Sequence, residues 1–170
     1  MMNATETETS NTQTANAQAV RDIPSMLLPV QDKQLLLPGV SVAEIVNFSY
    51  PECPENAPAW FLGYIQWRQM AVPLLSFEML NQQTPEHYSG MRRIAVLNNT
   101  GLDESIPFIA IVLQGIPRLL RILPQDLSEV TDMELGAAEM AAMNTSMGET
   151  VLLPDISVLE QAYSDYVRTR

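Results

Sequence analysis

VSVAEIV at residues 40–46, followed by PAWFLGYIQWRQMAVPLLSFEML at residues 58–80, decides how the rest of the chain is read. In the second stretch WFLGYIQW alternates large side chains in the period of an extended strand, AVPLLSF is a second extended segment, and RQM between them is the turn. One guanidinium, Arg68, stands inside this apolar and aromatic run, and Pro73 follows five residues later. A proline lacks the amide that a strand ladder uses, so Pro73 fits a strand edge or a bulge. Such a hairpin buries its aromatics and lifts Arg68 to the surface, where a partner's carboxylate or helix end can meet it. Alternatively Arg68 pairs inside the chain, with Glu44 or Glu78, and orders the turn.

Outward from the hairpin the chain is a series of short apolar segments separated by turn residues, the pattern of an all-β barrel or sandwich. MLLPV and QLLLPGV flank the polar QDKQ, whose Asp32 and Lys33 suit a hairpin tip. YPECPENAPA carries Pro51, Pro54 and Pro58 and reads as a loop. RIAVLNN and PFIAIVLQG, within residues 92–115, form a strand pair joined by a loop with Asn-Thr-Gly turn chemistry, and both strands are apolar on two faces. IPRLLRI (116–122) is a further strand, and LPQDLSEV opens a short helical segment at Pro124. By propensity ELGAAEMAAMNTSM (134–147) is a short helix, with Met140, Met143 and Met147 at helical spacing. VLLPDISVLEQAYSDYV (151–167) gives a strand, a turn at Pro154-Asp155, and a terminal helix marked by Ile156, Leu159 and Tyr163.

The composition, 46% hydrophobic and 17% charged over 170 residues, is that of a globular chain, and no apolar run is long enough for a membrane span. Residues 1–22 are polar and poor in large apolar side chains, so a flexible tail is expected there, with the folded domain at 23–167 and a short C-terminal tail at 168–170. The start of the sequence has neither a basic n-region nor an apolar core of a signal, so a cytoplasmic location is expected. The formal net charge of -11 repels phosphate backbones and anionic lipid, which argues against nucleic acid and direct membrane insertion as partners. Eight of the nine basic residues are arginines, the cation suited to planar carboxylate pairing at interfaces.

Catalytic chemistry is poorly represented. The single histidine, His87, lies in the polar run NQQTPEHYSG and reads as a solvated loop residue, and the single cysteine, Cys53, reads as a loop thiol. No HExxH, CxxC pair, GxSxG, GxxxxGK[ST] or GxGxxG occurs, and Glu44, Glu52 and Glu55 read as solvated charges rather than an acid pair. No catalytic residue, metal ligand or cofactor is therefore expected. An arginine framed by aromatics, an acid (Glu44) in an apolar strand and an acidic exterior are instead the materials of a protein-binding module. A β-barrel sensor of small ligands, or a structural subunit associating through its methionines, remains as an alternative.

The ordered set Val42-x-Glu44-Ile45, a proline-rich loop, then Pro58, Gly63, Arg68 and Pro73 at fixed spacing resembles the CheW-like chemotaxis coupling family. LQGIPRLLRILPQDL and VLLPDISVLEQA are similar to that family's second half, so the resemblance spans roughly residues 26–163. It implies two five-stranded SH3-like β-barrels packed on a shared apolar core, with short helical segments and a C-terminal helix. On that fold residues 134–147 should be extended or irregular, against their propensity. The resemblance also implies a non-catalytic adaptor joining the cytoplasmic tip of methyl-accepting chemoreceptors to a CheA-type histidine kinase. Val42 and Glu44 match kinase-binding positions, while Arg68, Ile109, Ala110 and Ile116 match receptor-binding ones. Gln69 stands where the family has glycine, Ser76 and Gln114 where aspartate is usual, and Glu78 where arginine is common. Those departures make the chain similar to divergent members that serve type IV pilus and twitching-motility systems.

Overall fold

The structure is a computed structural model, and it describes residues 21–85 and 90–170. Most of the tail expected at residues 1–22, and His87, lie outside the described residues. Two sheets carry the fold. The first has six strands in the order β8-β1-β2-β11-β10-β9, and the second five in the order β3-β6-β7-β5-β4. The strands are β1 (Ile23–Val30), β2 (Lys33–Pro38), β3 (Val42–Asn47), β4 (Phe61–Trp67), β5 (Met70–Leu75), β6 (Arg93–Asn98), β7 (Phe108–Leu113), β8 (Arg118–Ile122), β9 (Leu127–Glu129), β10 (Glu139–Thr145) and β11 (Thr150–Pro154). A one-turn helix, α1 (Phe77–Leu80), follows β5, and α2 (Ile156–Arg168) closes the chain.

Period-2 alternation explains why β6 and β7 look apolar throughout. Ala95 and Leu97, with Ile109, Ile111 and Leu113, face a core shared with Leu28, Leu35 and Leu37 of the other sheet and with Ile156, Leu159 and Tyr163 of α2. Their neighbours Ile94, Val96, Ala110 and Val112 point to the opposite face, where they pack with Ile65, Trp67, Val72 and Leu74. A third cluster of Leu27, Leu36, Ile122 and Val151 fills the concave side of the six-stranded sheet. Each sheet thus curls around a small core of its own, and the largest cluster glues the two together.

This differs from the implied pair of closed five-stranded barrels. One sheet has six strands because β8 adds to the free edge of β1, in the register Met26↔Leu119. No strand ladder closes either sheet among the described residues. In the five-stranded sheet the two edge strands, β3 and β4, are joined by side chains instead, through the Glu44 carboxylate and the Trp67 indole.

The propensity-based helix at 134–147 does not form; β10 occupies its centre, between β11 and β9. Helix preference amounts to only a few tenths of a kcal/mol per residue, and here Ala138 and Ala142 are fully buried in the shared core by strand geometry. The methionine stripe dissolves with it, since Met143 packs on the third cluster while Met140 and Met147 are exposed. The terminal helix does form. The Asp155 carboxylate accepts from the Ser157 amide at its N-terminus, and Ile156, Leu159 and Tyr163 supply its buried face. The C-terminal tail expected at 168–170 begins on the last residue of α2, and Arg170 donates to the Glu55 carbonyl.

Two departures from the family pattern have local explanations. Ser76 caps α1 by accepting from the Met79 amide at 3.3 Å, a task the usual aspartate performs equally well. Glu78 is buried, with its carboxylate accepting from the Gln31 amide and the Ser76 hydroxyl, so it ties α1 to the β1–β2 tip. Pro73 also has a structural reading. Its pairing with Tyr64 leaves the nitrogen facing away from β4, so no bond of that ladder is lost.

Candidate functional site

The hairpin of β4 and β5 closes through a two-residue turn, Arg68 and Gln69, with φ of 46° and 65°. Both residues sit in the left-handed region, the geometry of a type I′ turn, whose twist matches that of the flanking strands. Glycine would adopt it without strain. Gln69 adopts it at a cost, and the turn keeps its shape without the glycine that the family pattern has there.

Opposite the turn, β3 carries a bulge between Val42 and Glu44, where the register to β6 shifts. The extra residue re-aims Glu44 out of the plain alternation and toward the far edge of the curled sheet. There one oxygen, Oε2, accepts from Trp67 Nε1 at 2.9 Å and from Arg68 Nη2 at 2.9 Å. The Arg68 guanidinium lies over the Trp67 ring at 4.6 Å. Trp67 itself is buried and packs edge-on against Phe108. The result is a rigid base, the indole, carrying an ion pair whose outer half faces solvent: Arg68 is 66% exposed and Glu44 41%. Arg68 thus pairs inside the chain with Glu44 while most of its guanidinium side chain stays exposed; Glu78 is engaged elsewhere. The sequence reading overlooked Trp67, although an indole next to an arginine at the end of an apolar strand is a platform for a cation.

The remaining expected positions are dispersed. Val42 is partly buried and packs on the shared core beside the bulge. Ile109 and Ala110 are completely buried, one on each face of β7, and cannot reach a partner; this corrects their receptor-binding assignment. Consecutive residues of a central strand point to opposite faces, and here both faces are covered. Ile116 is exposed, but it follows the C-terminal end of β7, whereas the parallel register Leu74↔Ala110 places the Arg68 turn toward the N-terminal end. Arg68 and Ile116 therefore mark opposite ends of the sheet. Near Ile116 the structure adds one exposed hydrophobic, Leu119 on β8; the exposed Val40 lies at the other end of β7, where its carbonyl accepts from the Asn98 side-chain amide.

Among the described residues no group of three or more His, Cys, Asp or Glu side chains is placed to hold a metal ion. Asp103 borders a groove beside α2, but its carboxylate accepts from the Ser105 amide and hydroxyl and from Ser164, with Arg168 at 3.7 Å. Those Ser105 hydrogen bonds, aided by Ser164 and Arg168, hold its pKa below the ordinary carboxylate value. The loop at 99–106 is thereby latched to α2, a role shared by Glu160, whose carboxylate accepts from the Thr100 amide and hydroxyl. Cys53 is an exposed loop thiol. Among the described residues no helix is long and apolar enough to cross a membrane.

Two curled sheets fused by one core, with an exposed ion pair at a hairpin turn, define a two-sheet β protein whose prominent chemistry lies on its surface. Comparison with known families places it further: the chain belongs to the CheW-like domain family, which it matches over residues 24–162. Among solved structures it is similar to the scaffolding protein TtCheW from Thermoanaerobacter tengcongensis, with a TM-score of 0.66 and 12% identity, covering 78% of this chain and 88% of that one. At that identity the likeness concerns the fold. No curated protein sequence matches the chain.

Proposed function

We propose that this protein is a cytoplasmic, non-catalytic adaptor that couples chemoreceptors to a CheA-type histidine kinase, in a chemosensory pathway controlling pilus-based or flagellar motility. The observation that carries this reading is the Glu44–Trp67–Arg68 cluster, an exposed charge pair held on a buried indole in a chain of the CheW-like family. Val42 and Glu44 face the kinase in this reading, and Arg68 faces the receptor. Ile116 serves as a second, separate receptor contact, supported by the exposed apolar side chain of Leu119 three residues further on.

The kinase-facing acid and the receptor-facing arginine share a hydrogen bond of 2.9 Å. A partner that draws away either member changes what the other presents, so the two docking events are energetically linked through one oxygen. Such a link is what a coupling adaptor requires. It needs no bond made or broken by its own side chains.

The test is sedimentation of the full chain with the kinase regulatory domain and a receptor cytoplasmic fragment encoded in the same genome. A ternary species that forms only when the chain is present supports the proposal. Sedimentation of all three as separate species, at concentrations of tens of micromolar, refutes it.

A further inference from the structure

β5 and β7 run parallel but pair only at Leu74↔Ala110 and Leu75↔Ile111. Before Leu74 the two strands part, and the gap between them is a groove of about 290 Å³, floored by Tyr163 and Val167 of α2 and walled by Met70–Pro73 and Ile106–Phe108. The cause is Pro73. Trp67 and Met70 flank the two-residue turn as a hydrogen-bonded pair, so Ala71 and Pro73 turn their backbone groups away from β4 and toward β7. Continuing the parallel ladder by one step would require the amide of residue 73 to meet the Phe108 carbonyl, and proline has none. The ladder stops there, and the Ala71 backbone is left on an open strand edge above an apolar hollow.

We propose that this groove takes an extended segment of a protein partner by strand addition, with one large apolar side chain in the hollow and a basic residue beside it, toward Glu104. An open edge asks for complementary backbone groups, which an extended peptide supplies and a small apolar molecule does not. The hollow is apolar at Val72, Pro73, Ile106, Phe108 and Val167, and its volume suits a single large side chain. The flank is set by charge: Asp103 on the rim already faces Arg168 at 3.7 Å, but Glu104 beside it is exposed, and the chain as a whole carries a formal net charge of -11. This surface adjoins the Glu44–Arg68 pair, since Phe108 on its wall packs on Trp67, and it adds a peptide-binding function to the adaptor.

The experiment selects a phage-displayed random heptapeptide library on the full chain and measures the enriched peptides by fluorescence anisotropy against two variants. Pro73→Val restores the missing amide and closes the groove. Val167→Arg fills it from α2 at a position already 47% exposed, which keeps a folded test available if the first variant misfolds. Enriched peptides should share one central Leu, Phe or Met with Lys or Arg beside it, and should bind each folded variant at least tenfold more weakly. Amide exchange at Ala71 should slow in their presence. Peptides that bind both variants as well as the original chain, or a library that yields no enrichment, overturn the proposal. So does self-association of the chain that Val167→Arg abolishes, which assigns the groove to a second copy.

Discussion

Replacing Glu44 and Arg68 one at a time separates what the pair does for the fold from what it offers a partner. Arg68→Ala removes an ion pair of 2.9 Å between groups 66% and 41% exposed, and its stacking on Trp67 at 4.6 Å. An exposed pair contributes about 0.2–1 kcal/mol and an exposed cation–π contact about 0.5–1, so the loss should be near 1 kcal/mol. Glu44→Ala removes the same pair and also the acceptor of the Trp67 indole N–H, on a residue only 6% exposed. A buried donor left without a partner costs about 1–3 kcal/mol, which puts this variant at about 2–3 kcal/mol in total. Glu44→Gln keeps an oxygen for the indole and should fall near Arg68→Ala. Urea denaturation followed by tryptophan fluorescence measures all three. If Glu44→Gln is as costly as Glu44→Ala, the indole hydrogen bond is irrelevant and the platform described here is wrong. If Arg68→Ala is the most costly of the three, the arginine serves the fold and its availability to a partner is in doubt.

Other outcomes follow from single positions. Gln69→Gly relieves a left-handed residue at φ 65° and should stabilise the protein by about 0.5–1 kcal/mol, read as a rise of a few degrees in Tm; a fall would mean that the Gln69 side chain contributes more than its backbone strain removes. Gly63→Ala should prevent stable folding, measured by circular dichroism, because φ is 122° and a Cβ there would overlap the Glu52 carbonyl of the bridging loop. The Asp103 latch should respond to acid. Its pKa is lowered in the folded state, so its contribution is complete above the ordinary value of 3.8 and disappears as pH falls through the lower folded value. Asp103→Asn should therefore be less stable than the original chain by an amount that stays constant from pH 7 to 5 and narrows below pH about 4; a gap that narrows already above pH 5 contradicts the latch.

The strands of the two central hairpins were legible because their chemistry is local. Alternation, turn residues and prolines locate β1 through β8 from sequence, and the two-sided apolar character of β6 and β7 correctly announces burial on both faces. That same observation is incompatible with surface roles for Ile109 and Ala110, which motif matching alone had assigned. Residues 134–147 were not legible from propensity, since alanine's small helix preference is outweighed by burial between β9 and β11, and only the family resemblance pointed to the extended form. The contact of Glu44 with Trp67 was hidden for a different reason. It joins the two edges of a sheet whose strand order is not the chain order, and its geometry depends on a bulge that no residue type advertises. Nor does the pairing of residues 74 and 110 show in the sequence, so the consequence of Pro73 for the β5–β7 ladder emerged only with the topology.

The central claim is that this molecule acts by docking through the Glu44–Arg68 edge. Isothermal titration of the kinase regulatory domain and of the receptor fragment against the chain and against Arg68→Ala tests it most directly. Receptor affinity should fall at least tenfold, a loss of 1.4 kcal/mol or more, with the thermal midpoint of the variant within about 4 °C of the original. Unchanged affinity for both partners in a folded Arg68→Ala variant would contradict the account.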